Sequence, residues 1–331
     1  MDLLDATPSS LRCADVARAE SLAPAGTAGS YRGFVAVELP LPWPRELTEH
    51  PLVAPAAGAL EAAGLRVQAL VPDPDGPDAR RQVLTFVRPD RGGFGGYDAT
   101  RWTVPSDAVD AALSALARSF DPAVAGGWDL TALAATGAAG AVVAATGADA
   151  GRHVLICTHG VRDTCCGSLG TRLAAALPGL GAGIHRWRTS HTGGHRFAPT
   201  ALVLPEGTAW AFLDLDVLVG IVDRTFDPAH AAAHYRGCTG LHGPEAQAAD
   251  GAALAAVGWS WLDRARTGTV VARDGARTRV RLEGRHPDGT VTVLDADVEA
   301  VRMVPVPDCG RPPAEARKAA PELVVRSLTV A

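Results

Sequence analysis

The chain has 331 residues, 47% of them hydrophobic, with six cysteines and a formal net charge of -5. That length supports a substantial core divided between two domains, with room for a small appendage. The acidic balance and the lack of a Lys/Arg cluster exclude nucleic acid as the main partner.

No positive segment followed by an apolar run comes after Met1, so the expected location is the cytoplasm. Ala and Arg dominate their classes, as in a GC-rich coding background, and a bacterial source is expected. Six scattered cysteines are too few for a disulfide scaffold, and in a reducing compartment they point to metal binding or redox chemistry.

In chain order, Gly33 to Leu39 reads as a strand ended by Pro40, Pro42 and Pro44. Leu65 to Val71 and Gln82 to Val87 read as further strands. Ser106 is placed to cap a helix on which Val109, Ala112, Leu113, Leu116 and Phe120 recur at helical spacing. The stretch Leu130 to Ala148 is rich in Ala, Gly and Thr, too weakly apolar for a membrane span, and reads as a domain junction. No catalytic signature appears in this mixed α/β half, residues 1–148.

From His153 the character changes. Val154 to Ile156 is a buried-strand run, followed by a polar cysteine-bearing loop and a helical segment from Leu169 to Leu177. Ile184 to Arg188 forms a second strand, and Ala201 to Leu204 with Ala209 to Leu213 a hairpin around Pro205-Glu206-Gly207. A helix at Asp216 to Val222 completes the element order of a thioredoxin-like unit within residues 149–265, and Pro228 to Arg264 reads as helical. Residues 266–331 alternate in polarity, with Asp274-Gly275 and Asp288-Gly289 as turns beside strands Thr278 to Leu282 and Thr290 to Leu294. The expectation is an α+β protein: an N-terminal mixed α/β domain, a thioredoxin-like domain and a small β appendage, without internal repeat.

The chemistry concentrates in two loops. Cys157-Thr-His-Gly-Val-Arg-Asp-Thr-Cys-Cys166-Gly167 lies between a strand end and a helix start, where the helix N-terminus favours thiolates. Ser190-His191-Thr192-Gly193-Gly194-His195 brings two imidazoles together on a glycine-rich path. Two thiolates and two imidazoles select zinc, copper or iron-sulfur over harder cations. Structural zinc sites usually space their cysteines two to four residues apart, whereas eight residues separate Cys157 from Cys166, a gap better suited to a wider cluster. Mixed Cys/His ligation of a 2Fe-2S unit is known from Rieske centres, although the Rieske loop pattern is absent.

These residues resemble the sucrase/ferredoxin-like family. The pattern runs through Cys157, His159, Arg162, Asp163, Cys166 and Gly167, then His191, Gly193, Gly194, His195, Phe197 and Ala198, and continues in Tyr235-Arg236-Gly237-Cys238-Thr239-Gly240. The resemblance is looser in the first 145 residues and the last 65. It implies a thioredoxin-like ferredoxin domain, with Cys157, Cys166, His191 and His195 as ligands of a bis-histidinyl 2Fe-2S cluster. On that reading the chain is an electron carrier rather than a catalyst, served by a redox partner such as a flavin reductase, with neither membrane nor nucleic acid as partner. Oxidised metal acidifies bound imidazole, so proton coupling at His191 or His195 is expected. No carboxylate pair marks a glycosidase, and sucrase activity is not expected.

Two alternatives use the same loops: a structural zinc module on the same four residues serving partner binding, and a thiol-disulfide oxidoreductase using Cys165 or Cys166. Cys165 is an extra thiol beside an expected ligand, open to metal binding or to a disulfide. His159, Arg162 and Asp163 read as supporting groups, and Cys13, Cys238 and Cys309 as isolated buried thiols without a role. Trp187 and Trp210 read as core residues.

Overall fold

The computed structural model describes residues 11–73, 79–89, 91–119, 140, 142–177 and 179–331. The first half opens with helix α1 (Cys13–Ala19) and contains strands β1 (Gly33–Glu38), β2 (Leu65–Leu70), β3 (Arg80–Val87), β4 (Asp98–Pro105) and β5 (Val142–Thr146). Helix α2 (Ala54–Ala62) links β1 to β2, and α3 (Val109–Ser119) follows β4. β1 is buried at every position because both faces of the sheet are covered. Phe34 and Ala36 join one core, Val35 and Val37 the other. Phe120 and residues 130–139 and 141 of the expected junction lie outside the described residues.

The second half runs β6 (Arg152–Cys157), α4 (Thr171–Ala176), β7 (Ile184–Thr189), β8 (Ala201–Leu204), β9 (Thr208–Trp210), α5 (Leu215–Val222), α6 (Pro228–His234), β10 (Tyr235–Cys238) and α7 (Pro244–Val257). Strand, helix, strand, hairpin and helix follow one another as expected of the thioredoxin-like unit. The expected helical region from Pro228 is interrupted by β10, which pairs antiparallel with β9. Asp227 caps α6 and Pro244 starts α7 afresh, so the helix signals are real but belong to two helices.

All ten strands form one mixed sheet in the order β10-β9-β8-β6-β7-β2-β1-β3-β4-β5. The order is symmetric about the junction of β7 with β2. On each side a parallel pair, β6/β7 or β1/β2, is flanked by an antiparallel strand, β8 or β3, and then by two more antiparallel strands. The two halves thus repeat one topology without a visible sequence repeat. They meet where Leu70 pairs with Thr189, and the sheet continues across residue 148.

A separate antiparallel sheet follows: β11 (Ala265–Asp274), β12 (Arg277–Arg285), β13 (Val291–Pro305) and β14 (Ala319–Val330), in sequence order. β12 alternates strictly between buried and exposed. Val280 and Leu282 join the main core, while Arg281 and Arg279 face Asp295 and Asp297 across the outer surface. The fold is α+β, with a large mixed sheet and a small antiparallel one. Among the described residues no helix is long and apolar enough to cross a membrane.

A buried ion pair ties the two sheets together. Arg266 on β11 donates through one nitrogen to both oxygens of Asp250 on α7 at 2.9 Å, and Trp261 and Tyr235 donate to the same carboxylate at 2.8 and 2.7 Å. Both charges are fully enclosed, so removing one leaves the other unpaired in low dielectric. Asp250→Ala is therefore expected to cost about 3–5 kcal/mol, measured by urea unfolding. A cost near zero would show that the pair does not join the sheets.

Candidate metal centre

β6 delivers Cys157, its last residue, to the edge of the seam between the two half-sheets, with no solvent exposure. The chain then loops out and returns as a wide π-type turn, Cys166–Gly170, that continues into α4. Such turns are uncommon and concentrate at functional sites. Asp163 shapes the return: its Oδ1 accepts from the Cys165 N–H at 2.9 Å and its carbonyl accepts from the Gly167 N–H at 3.1 Å. Gly170 permits the close approach, because a Cβ there would sit 1.8 Å from the Cys157 carbonyl oxygen. The result is that Cys166 is buried beside Cys157.

The histidine loop leaves β7 at Thr189. Arg66 of β2 donates to the His191 carbonyl at 2.6 Å, and its other terminal nitrogen donates to the Tyr31 hydroxyl at 2.9 Å. The fully buried Arg236 of β10 donates to the Gly193 carbonyl at 3.0 Å and, through Nε, to the Thr27 hydroxyl at 3.1 Å. Gly194 has φ +66°, and a Cβ there would lie 2.5 Å from the Arg236 guanidinium carbon. Burial lowers Arg236 to about 10, so it remains a cation at neutral pH. Arg66 and Arg236 are positioning residues for the loop. Arg236 was visible in the Tyr235 to Gly240 motif, though its role was not.

Three of the four expected ligands converge. His191 Nδ1 lies 3.9 Å from both the Cys157 and the Cys166 sulfurs, and the three ligand atoms fall within 4.8 Å of one another. A hydrogen bond from Cys166 holds the Cys157 thiol well below its ordinary value, and burial opposes this. The same bond pushes Cys166 well above. His195 stands apart from this group. Its ring centroid is 5.8 Å from that of His191, and its Nε2 is 3.1 Å from the Pro307 carbonyl. Burial lowers the His195 pKa, which favours the neutral, ligating imidazole. The same Nε2 is 3.7 Å from an Asp308 carboxylate oxygen, and the His195, Asp163 and Asp308 ligand atoms lie within 4.8 Å of one another.

The supporting residues are also placed. His159 Nε2 is 3.0 Å from the Pro44 carbonyl, and its ring meets Trp43 edge-on at 5.7 Å. Arg162 pairs with Glu46. Trp187 and Trp210 are core residues, and Cys238 lies beside Arg266.

Cys13 and Cys309, remote in sequence and expected to be isolated, instead meet Cys165 and Asp163. Hydrogen bonds from Cys13 and then Cys309 lower the Cys165 thiol to about 3, against the effect of burial. No spacing rule finds this group, since 144 positions separate Cys165 from Cys309 and 296 separate Cys13 from Cys309. The extra thiol at Cys165 was the one available signal.

The close approach at Gly170 is testable. Gly170→Ala should destabilise the chain by about 1–3 kcal/mol, as overpacking does. Gly179→Ala, where a Cβ meets nothing within 4 Å, should be neutral. Equal urea midpoints for the two variants would contradict the packing.

A family model described as Sucrase/ferredoxin-like matches residues 24–237, a span that contains both loops. No curated protein and no solved structure matches the chain. With that match covering most of its length and both ligand-bearing loops inside it, the chain belongs to the sucrase/ferredoxin-like family.

Proposed function

We propose that the protein carries a 2Fe-2S cluster on Cys157, Cys166, His191 and His195 and serves as a one-electron carrier. The observation that carries this reading is the convergence of two fully buried thiols on one imidazole nitrogen, 3.9 Å from each. Two buried thiols beside the His191 imidazole, with the His195 imidazole nearby and its Nε2 held by a carbonyl, suit a soft metal group. When bound, the cluster would supply a single electron acceptor and donor, at a potential raised by imidazole ligation above that of an all-cysteine ferredoxin.

The remaining residues set access and orientation. Arg66 fixes His191 through its carbonyl, and the Pro307 carbonyl fixes the ring of His195. His191 also lines a cleft of about 280 Å³ with Arg45, Arg66, Arg162 and His159. That cleft brings a partner surface to the imidazole edge while the sulfurs stay enclosed. Three arginines against the single carboxylate of Glu46, which pairs with Arg162, give the cleft a net positive lining that suits an acidic surface on a redox partner such as a flavin reductase.

Anaerobically purified protein should show visible charge-transfer bands, acid-labile sulfide, and an EPR signal on reduction. His195→Cys should keep the absorbance and lower the potential, because a thiolate adds negative charge where a neutral ring stood. A colourless, EPR-silent protein after cluster reconstitution would end the reading.

Proton coupling follows from the ligands. An imidazole on oxidised metal is the stronger acid, so oxidation releases a proton above its pKa and the potential falls as pH rises. The limiting slope is about 59 mV per pH unit for one proton and one electron. Protein-film voltammetry should show this slope in alkaline solution, and the double variant His191→Cys, His195→Cys should abolish it. A potential flat from mildly acidic to strongly alkaline pH would refute the coupling.

One observation favours a second reading. The Cys157, Cys166 and His191 ligand atoms are compact, within 4.8 Å of one another. Ligands about 2.3 Å from one tetrahedral zinc stand about 3.8 Å apart. Elemental analysis finding zinc without iron or sulfide would select a structural zinc module. Full burial of Cys157, Cys165 and Cys166 speaks against a thiol-disulfide oxidoreductase, whose nucleophile must reach a substrate.

A further inference from the structure

We propose that Cys13, Cys165, Cys309 and Asp163 form a second metal site, a closed tetrahedral set of three thiolates and one carboxylate for a zinc-class divalent ion. It goes beyond the proposed function and is independent of what the first site holds.

The distances support a single shared centre. Cys165 and Cys309 sulfurs are 3.1 Å apart, and Cys309 and Cys13 sulfurs 3.5 Å. Asp163 Oδ1 lies 3.5 Å from the Cys13 sulfur and 3.4 Å from that of Cys309. All four ligand atoms fall within 4.8 Å of one another. Thiolates about 2.3 Å from one tetrahedral ion stand about 3.8 Å apart, with somewhat shorter edges to a carboxylate oxygen. Three of these four edges lie within about 0.3 Å of that geometry, and the Cys165–Cys309 edge is about 0.7 Å shorter.

Burial and charge point the same way. Cys13 and Cys165 are fully buried and Asp163 nearly so. Among the described residues no Lys or Arg forms an ion pair with Asp163, whose oxygens are met by the Cys165 and Cys309 N–H groups and by thiols. Cys309 is half-buried, and a carboxylate enclosed with two buried sulfurs and this third one is costly unless a cation joins it. Thiolate-rich tetrahedral sets favour zinc-class ions over magnesium or calcium.

The carboxylate is oriented as a ligand's supporting bonds would orient it. Its Oδ1 accepts from the Cys165 N–H, and its Oδ2 accepts from the Cys309 N–H at 3.2 Å. The ligands come from α1, from the loop before the wide turn, and from the segment after β13. A bound ion would therefore staple both terminal regions onto the loop that carries Cys166. Cys13 and Cys309 lie outside the residues matched by the family, 24–237. The rival is a Cys165–Cys309 disulfide, in which the sulfurs would stand about 2.03–2.05 Å apart. It would use two of the three thiols and leave Cys13 and the carboxylate enclosed without purpose.

The test is metal content per chain in full-length protein purified anaerobically from zinc-supplemented cells, for the natural sequence and for Cys13→Ser, Cys309→Ser. The variant should lose one equivalent of divalent metal and keep the metal, sulfide and absorbance of the first site. Cys166→Ser, His191→Ala should show the converse, so failure of the cluster reading and failure of this one are separable. Native mass spectrometry of the unmodified chain reads the same equivalent should the cysteine variant fail to fold. Cobalt(II) exchanged into that site should give tetrahedral d–d bands with thiolate charge transfer. Equal metal content in both proteins, or a chain lighter by two hydrogens with a Cys165–Cys309 peptide link and no ion, would overturn the proposal.

Discussion

The structure depends on the seam where β7 meets β2. Pairing there runs through Leu70 and Thr189, and the flanking residues extend it: Val71 N–H donates to the Arg188 carbonyl, and Ser190 N–H to the Ala69 carbonyl, each at 2.9 Å. The Thr189 hydroxyl adds a bond of 2.7 Å to the same Ala69 carbonyl. Both strands end at this point, so their carboxyl ends, and those of their parallel neighbours β1 and β6, open on one region. Crevices at the carboxyl ends of parallel strands are where such sheets receive ligands. Here the crevice lies between two half-sheets; Cys157, His191 and Trp43 reach it from the ends of β6, β7 and β1 or the loops after them, and Arg66 from within β2.

Much of this was legible because local patterns are physical. The unbroken run Gly33 to Leu39 announced a strand covered on both faces, and β1 is buried throughout. The alternation at Thr278 to Leu282 announced one wet face, which carries Arg279 and Arg281. β10 was hidden because Tyr235 to Cys238 is short and lies between two strong helix signals. Its strand state depends on the edge of β9, a partner 25 or more residues away. The symmetry of the sheet was hidden for a related reason: strand order arises from pairing, and residues matched by topology share no sequence pattern.

The site shows the same division. Cys157, Cys166 and His191 were found by type and spacing, and they converge because two loops leave neighbouring parallel strands. The residues that aim them were silent in the sequence, since Arg66 and Arg236 act by donating to backbone carbonyls, which any residue carries. Cys13 and Cys309 were silent for a stronger reason. The chain closes loops of well over a hundred residues to bring them to Cys165, and loop entropy grows so slowly with length that no spacing is preferred.

The repeated topology explains why one half carries the candidate ligands and the other does not. Register places Glu38 in β1 where Cys157 stands in β6, opposite Leu70 where Cys157 lies opposite Thr189. Burial raises the Glu38 carboxyl, and its oxygen accepts from the Gln82 N–H at 2.7 Å, so this position is spent within the first half. The loop after β1 is stiffened by Pro40, Pro42 and Pro44, and it offers Trp43 and the Pro44 carbonyl to His159. A flexible loop there would leave the cysteine loop one wall short. The first half is thus a rigid counterpart of the second: among the described residues it brings no cysteine or histidine cluster to the seam, and it supplies the arginine clamp, the aromatic wall and the strand β2, against which the cysteine and histidine loops are set.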